Sequence, residues 1–384
     1  MHILIVAPAY APYSGVGSVR MMSLSQYLVK KGNKVIVLKN SPELWPQHAL
    51  KSRVPENIEA IDVYARGSFK ECMEAYKKAV EEVIKNRHID ISIYSCNPYY
   101  TAPVAADMKE KHGMKYIIEF RDIWIKDEFI TRNWLKRLKK IISRLPFRSY
   151  EKRVIQWADA VVTVAPKECE ILHNDYPESK SKISVIFNGY DDERLSGDAM
   201  FRNEYPKEYI GVFGKFGYYD YEYVVEMLTA IKQLWFDGYK IRILHIGDLD
   251  KKTAMALKIT KFPQEAYINT GFLDYSQGMA LLKGAIACCL IVHYKRALGT
   301  KIFDYIYTDK PVVFFAHQDS AIASILSKCK NAFRCESADD ASEAIRKIID
   351  ENLETLGCSE REVYSRRIQN DRYYKIINEI AAYE

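Results

Sequence analysis

The stretch HILIVAPAYAPYSGVGSVRMMSLSQYLVKKGNKVIVLK, residues 2–39, contains the unit from which the whole fold is built. Its opening, HILIVA (2–7), reads as a short buried strand. A loop carrying Gly15 and Gly17 follows. Helical spacing then runs over 21–31 and stops at Gly32, and KVIVLK (34–39) is a second strand. A strand, a crossover helix and a second strand in direct succession pair in parallel, because a tight turn can only bring a strand back antiparallel.

The same alternation continues outward. Residues 41–55 hold three prolines and a tryptophan without periodicity and read as a long loop. A helix over 69–86, the strand ISIYSC (91–96), a helix over 101–112 ended by Gly113 and the strand KYIIEF (115–120) come next. A basic helical stretch covers 133–157, followed by AVVTVA (160–165), a helix, and KISVIFNG (182–189). Residues 190–208 are polar and irregular and read as a linker. A second series begins with YIGVFG (209–214), a helix over 221–237, IRILHIG (241–247) and a helix over 253–259. It continues with AYINTG (266–271), a helix over 276–283 and ACCLIVHY (287–294). The segment GTKIFDYIYTDKPVVF (299–314) follows, then helices over 322–327, 340–352 and 361–382. The expected class is α/β: two Rossmann-like domains, 1–189 and 209–360, with parallel sheets facing a central cleft. The tail, 361–384, is expected to pack back on the first domain.

Composition narrows the function. A chain of 384 residues exceeds one core, in keeping with two domains. No apolar run approaches the roughly 20 residues of a membrane span, and no basic leader or cleavage site precedes the first strand, so the expected location is cytoplasmic. The eight cysteines show no C-x-x-C spacing and read as reduced core thiols. The histidines do not pair with one another at i, i+4, so no metal is expected. The 28 tyrosines form no aromatic–basic repeat, and no nucleic-acid partner is expected.

Segment 299–314 carries the chemistry. Gly299 and Thr300 open a helix and can present backbone N–H groups; Lys301 adds a cation, and the combination suits a diphosphate. Asp304, one turn on, can accept from a ribose hydroxyl. An ordinary amphipathic helix before a buried strand has the same pattern. Lys215, just after the strand 209–214, is a second cation for the diphosphate, or else a solvated surface lysine. Arg121 and Asp122 follow the strand 115–120, where open α/β sheets place functional groups. Asp122 can orient or deprotonate a hydroxyl; a structural ion pair with Arg121 is the alternative. Gly15 and Gly17 allow a ligand close to the first loop, and Arg20 is either a contact to acceptor or diphosphate or a surface arginine.

Several of these stretches fall in the order of a known family. APAYAPYSGVGSVR (7–20), EFRDIW (119–124), WADAVVTVAPKECEIL (157–172), VIFNGYD (185–191), YINTGFLDYSQGMALLKGA (267–285) and segment 299–314 resemble the motifs of GT-B glycosyltransferases of family 4, in a subgroup with F-R-D-x-W. The resemblance covers about residues 1 to 335. It implies a hexosyltransferase-like, retaining enzyme that takes a UDP- or GDP-linked sugar as donor and needs no metal cofactor. The expected acceptor is a glycan or a lipid-linked molecule in bacterial surface polysaccharide synthesis. It implies Asp122 and Arg121 as catalytic residues, Gly15, Gly17 and Arg20 as an acceptor or diphosphate loop, and Lys215, Phe272, Arg296, Gly299, Thr300, Lys301 and Asp304 on the donor side. Phe272 stands where the family places the nucleobase; filling the core is its alternative role. Two positions depart from the family. Asp304 replaces Glu, and Arg296 stands where a donor-contacting Glu is usual. A guanidinium cannot accept from sugar hydroxyls, which leaves an anionic donor, a phosphate-binding loop or lost activity. The rival readings are a non-catalytic GT-B assembly partner and a nucleotide-sugar epimerase.

The run from Arg132 to Arg153 carries nine Lys and Arg against one acid, with Trp134, Leu135, Leu138, Ile141, Ile142 and Leu145 at helical spacing. It reads either as a membrane-surface element for anionic lipid or as a helix docked by that apolar stripe.

Overall fold

The computed structural model describes residues 1–125, 134–192, 204–206, 208–292, 294–296 and 298–382, apart from the side chains of 136, 137, 140 and 141. The chain divides into two compact units, one of Met1–Asn188 with Arg366–Glu384 and the other of Gly189–Ser365. Each is built on its own sheet.

In the first unit β1 (His2–Val6), β2 (Lys34–Asn40), β3 (Glu59–Val63), β4 (Ile91–Cys96), β5 (Tyr116–Phe120), β6 (Ala160–Thr163) and β7 (Ile183–Val185) pair in the order β3-β2-β1-β4-β5-β6-β7. Every pairing is parallel. The side-chain period of two divides β1 between the faces. Ile3 and Ile5 join the core under α1 (Val16–Lys30) with Met21, Leu24 and Leu28. Leu4 and Val6 join the opposite core, with Tyr76 and Val80 of α2 (Phe69–Asn86) and Val104 and Met108 of α3 (Ala102–His112). Both faces are buried, which is why the strands read as near-continuous apolar runs. Helices α4 (Trp134–Arg144), α5 (Arg148–Trp157) and α6 (Pro166–Asp175) complete the unit before β7.

The second unit repeats the design with six strands: β8 (Tyr209–Phe213), β9 (Arg242–Ile246), β10 (Tyr267–Gly271), β11 (Ala287–Val292), β12 (Val312–Ala316) and β13 (Ala332–Cys335). Their order is β10-β9-β8-β11-β12-β13, again all parallel. Between them run α7 (Tyr221–Phe236), α8 (Lys251–Ile259), α9 (Tyr275–Lys283), α10 (Lys301–Thr308), α11 (Ala321–Leu326) and, after β13, α12 (Ala338–Asp350). One fully buried hydroxyl anchors α10. Tyr305 accepts from the Phe213 N–H at 3.1 Å and donates to the Cys289 carbonyl at 3.0 Å, tying the helix to β8 and β11 at once.

The last helix, α13 (Arg366–Ala382), lies against α1. Tyr373 and Ile377 enter the core with Met21 and Leu24, Asn370 donates to Ser23 at 3.0 Å, and Gln369 accepts from the Phe187 N–H at 2.8 Å.

Several elements differ from the sequence reading. Helix α1 starts at Val16 rather than 21, because Gly15 is its extended N-cap and Gly17 lies in its first turn. The helix expected over 133–157 is two helices separated by a turn at Leu145–Phe147, where Pro146 lacks the N–H that a continuous helix needs. The strand expected over 182–189 pairs only over Ile183–Val185, and the final helix is preceded by a separate short turn at Arg361–Tyr364. Strands β3 and β13 lie at sheet edges and are only partly buried, so they lack the apolar runs that marked the others. No helix among the described residues is long and apolar enough to cross a membrane.

Candidate functional site

In both sheets the strand order reverses direction beside the first strand, between β1 and β4 and between β8 and β11. Loops leaving the carboxyl ends of such a pair run to opposite faces and open a crevice, where α/β proteins bind ligands. Lys215 and Lys301 lie at the second of these points, Arg121 and Asp122 follow β5 next to the first, and Phe272 follows the edge strand β10.

In the second unit the loop after β8 begins with Gly214, in the left-handed region at φ +68. Its amide donates to the Ile246 carbonyl at 2.7 Å. Lys301, the first residue of α10, donates to the backbone carbonyl of Lys215. Burial pushes the Lys301 ammonium down to about 8; the nearby Lys215 charge acts in the same direction and Asp304 opposes it. Lys215 is exposed, with its ammonium 4.0 Å from the centre of the Tyr218 ring. Lys301 lies 5.8 Å from that of Tyr219. Two cations of one loop and one helix end are thus brought together, beside an exposed Gly299 and a half-buried Thr300.

Asp304 is buried and accepts from the Tyr275 hydroxyl at 2.5 Å. It is therefore not an exposed surface acid, and Tyr275 is a partner that sequence reading did not name. Arg296 is half-buried in the loop between β11 and α10, the loop that also carries Gly299. Phe272, one residue past β10, is 63% exposed, which corrects the core-filling alternative.

Further residues support the loop from behind. His245 on β9 is fully buried, with Nε2 2.6 Å from the Gly214 carbonyl and Nδ1 2.6 Å from the Tyr267 hydroxyl. A carbonyl only accepts, so Nε2 carries the proton and Nδ1 accepts from Tyr267. Burial moves the His245 pKa below its usual value, against the pull of the Gly214 hydrogen bond, and the ring is neutral at pH 7. The Gly217 amide donates to Thr253 Oγ1 at 2.8 Å and to Asp250 at 3.1 Å, so the N-terminus of α8 holds the far end of the loop. A histidine among the apolar residues after Arg242 in the strand IRILHIG was the available signal for His245.

In the first unit Arg121 and Asp122 do follow β5, yet they do not pair with each other. Arg121 donates to the carbonyls of Cys96, at 3.4 Å, and Asn97. Asp122 accepts from the Asn97 side chain at 2.8 Å, and its carbonyl accepts from Tyr99 at 3.0 Å. Asn97, at φ +90 at the end of β4, is thus the residue through which both are oriented, and no sequence motif announced it. Two glycines have steric duties here. A Cβ on Gly17 would lie 1.5 Å from the Arg121 guanidinium, and one on Gly15 would lie 2.4 Å from the Tyr13 ring.

Arg20 is neither a surface arginine nor aimed at solvent. It is buried, pairs with Glu119 at 3.0 Å and donates to the Phe187 carbonyl at 2.7 Å. The surface alternative is corrected accordingly: a fully buried carboxylate on β5 requires a cation, and Arg20 supplies it.

The basic stretch divides. Arg132 and the side chains of Lys136, Arg137, Lys140 and Ile141 lie outside the described residues. Arg144 donates to the Trp124 carbonyl at 3.0 Å, and Arg153 pairs with Asp107 and Glu110, so these two serve the domain itself. Trp134, Leu135, Leu138, Ile142 and Leu145 are 45% to 69% exposed, which contradicts a helix docked by its apolar stripe. Among the described residues no group of three His, Cys, Asp or Glu side chains is placed to hold a metal ion.

Residues 15–194 match the family described as Glycosyltransferase Family 4. No curated protein sequence matches the chain. Among solved structures, sucrose-phosphate synthase from Thermosynechococcus elongatus is similar with a TM-score of 0.75 and 14% identity, covering 100% of both chains. A glycosyltransferase from Rickettsia africae has a TM-score of 0.70 and 16% identity, over 100% of this chain and 99% of that one. UDP-GlcNAc 2-epimerase from Methanocaldococcus jannaschii has a TM-score of 0.62 and 12% identity, over 99% of this chain and 100% of the other.

The Arg20–Glu119 pair yields a direct test. Removing one partner of a buried ion pair typically costs about 3–5 kcal/mol, because the other charge stays buried alone. Arg20→Met is expected to lose that much stability on chemical denaturation, and adding Glu119→Leu is expected to recover much of it. Undiminished stability in Arg20→Met would show a guanidinium that the fold does not need.

Proposed function

We propose that this chain, with two parallel-sheet domains and residues 15–194 matching Glycosyltransferase Family 4, is a glycosyltransferase whose residues divide the reaction as follows. The donor is a UDP- or GDP-linked sugar. Its diphosphate is held by Lys301, Lys215 and the backbone N–H groups of Gly299 and Thr300. Asp304, set by Tyr275, takes the ribose, and the exposed ring of Phe272 stacks on the base. The observation that carries this reading is the pairing of Lys301 with the Lys215 backbone at the β8–β11 reversal.

In the reaction the bond between the anomeric carbon and the diphosphate oxygen breaks, and the acceptor oxygen bonds to that carbon. The charge growing on the departing diphosphate is met by two cations, which act most strongly where water is excluded. The acceptor hydroxyl passes its proton to Asp122, aimed by Asn97, which is the carboxylate we assign to orient and deprotonate it. Arg296, in the loop before α10, favours a donor whose sugar carries a negative charge. The acceptor is a glycan or lipid-linked molecule, and bacterial surface polysaccharide is the setting we infer. The exposed apolar face of α4 with its basic neighbours supports peripheral attachment to the inner, anionic face of the cytoplasmic membrane.

Three measurements test these assignments. A charge-assisted contact is worth about 1.5–3 kcal/mol, roughly 10- to 150-fold in affinity. Lys301→Ala and Asp304→Ala should each weaken UDP or GDP binding by that order in calorimetry. Because Lys301 is charged below about pH 8, wild-type affinity should fall as pH rises through that value, and Lys301→Ala should lose this dependence. Wild-type affinity in both variants would refute the assignment.

Asp122→Asn keeps shape and removes charge, so turnover should collapse with nucleotide affinity and thermal midpoint unchanged. Full turnover would return Asp122 to a purely structural role.

Vesicle co-sedimentation tests the membrane reading. Anionic lipid attracts each nearby cation by about 1 kcal/mol, and salt screens exposed charges over about 8 Å at physiological strength. The protein should sediment with anionic and not neutral vesicles. Replacing Lys136, Arg137, Lys139 and Lys140 with Gln, or Trp134 and Ile142 with Ser, should abolish that preference. Equal sedimentation with both vesicle types would end the proposal.

A further inference from the structure

We infer that His245 is a positioning residue that sets the diphosphate loop through a single backbone carbonyl. The inference rests on the nucleoside-diphosphate reading above and names what holds that site in shape.

His245 is the one polar side chain in the otherwise apolar strand β9, Arg242–Ile246, apart from the strand's first residue. It is fully buried, and both ring nitrogens are engaged at 2.6 Å. Its partners lie on different sides. The Tyr267 hydroxyl, on the neighbouring strand β10, fixes the tautomer by donating to Nδ1. The freed Nε2–H then points at Gly214, the first loop residue after β8. Burying an imidazole costs desolvation that apolar packing does not offset, so both nitrogens need partners, and here one of the two is the carbonyl of a loop residue.

The Gly214 peptide is confined from several directions. Its amide is held by the Ile246 carbonyl. A Cβ on Gly247 would come within 2.9 Å of the Gly214 Cα, so β9 ends directly against it. A Cβ on Gly214 itself would sit 3.3 Å from the Lys301 side chain. The next residue is Lys215, whose carbonyl receives the Lys301 ammonium. Turning the Gly214 carbonyl away from His245 would therefore rotate the peptide that carries Lys215 and displace the acceptor of Lys301. The chain Tyr267–His245–Gly214 sets where both cations stand, without touching ligand itself.

Two polar replacements separate the roles. The Gln amide nitrogen reaches about as far as Nε2 and can still donate to Gly214, whereas the shorter Asn side chain cannot. Calorimetry with UDP and GDP, and NMR titration with uridine and guanosine, should show His245→Asn losing roughly tenfold in diphosphate affinity, the cost of about one oriented contact. Nucleoside affinity should be unchanged, and His245→Gln should stay close to wild type. Wild-type UDP and GDP affinity in His245→Asn overturns the inference. So does an equal loss of nucleoside and nucleoside diphosphate, or a Gln variant as weak as the Asn variant. If neither variant folds, Tyr267→Phe carries the same test: reduced diphosphate affinity with nucleoside affinity intact supports the inference, and unchanged affinity overturns it. A wild-type protein that binds neither UDP nor GDP instead removes the nucleotide reading on which the inference stands.

Discussion

Parallel strand pairing is the constraint from which the rest of this molecule follows. A parallel neighbour can be reached only by a crossover, and the crossovers here lay helices on both faces of each sheet. Strand interiors are thereby denied water, and polar chemistry is pushed to the loops at strand ends. In each sheet the crossovers change direction once, beside β1 and beside β8. Every candidate residue discussed above except Phe272 and those of α4 belongs to an element that begins or ends at those reversals, or packs directly on one.

The few polar groups left inside the sheets are used to aim loops. Glu119 draws Arg20 inward, and that guanidinium also takes the Phe187 carbonyl, so α1 is joined to the segment after β7. Tyr305 ties α10 to two strands, and His245 reaches from β9 to Gly214. In each case the desolvation of a buried polar group is offset by a hydrogen bond or a charge at a place where position matters. The same logic accounts for glycine use at Gly17, where the Arg121 guanidinium occupies the space of a side chain.

Charge completes the picture. Burial lowers the readiness of Lys301 to hold its proton, and the like charge of Lys215 nearby adds to that. An anion placed beside both would favour the protonated form of Lys301. On α4 the opposite arrangement holds. Apolar side chains face solvent there with no covering element among the described residues, and such patches on soluble chains commonly mark a contact surface.

The sequence by itself determined the alternation of strands and helices, hence the parallel sheets, because period and apolar run length are local properties of HILIVA, KVIVLK, ISIYSC and their successors. It also offered Lys215, Lys301, Asp304 and Asp122 as candidates, since strand ends and helix starts are local too. It was silent on β3 and β13, whose edge positions leave them without a continuous apolar signature. The surface alternative for Arg20 and the core alternative for Phe272 fail, because burial depends on what residues distant in the chain bring alongside. Only the tertiary structure decided that Arg20 belongs to Glu119, 99 positions away, that Asn97 aims Asp122, that Tyr275 meets Asp304 and that His245 reaches Gly214. Those partnerships join residues from different crossovers, and a hydrogen bond across such distances leaves no periodic trace in the chain.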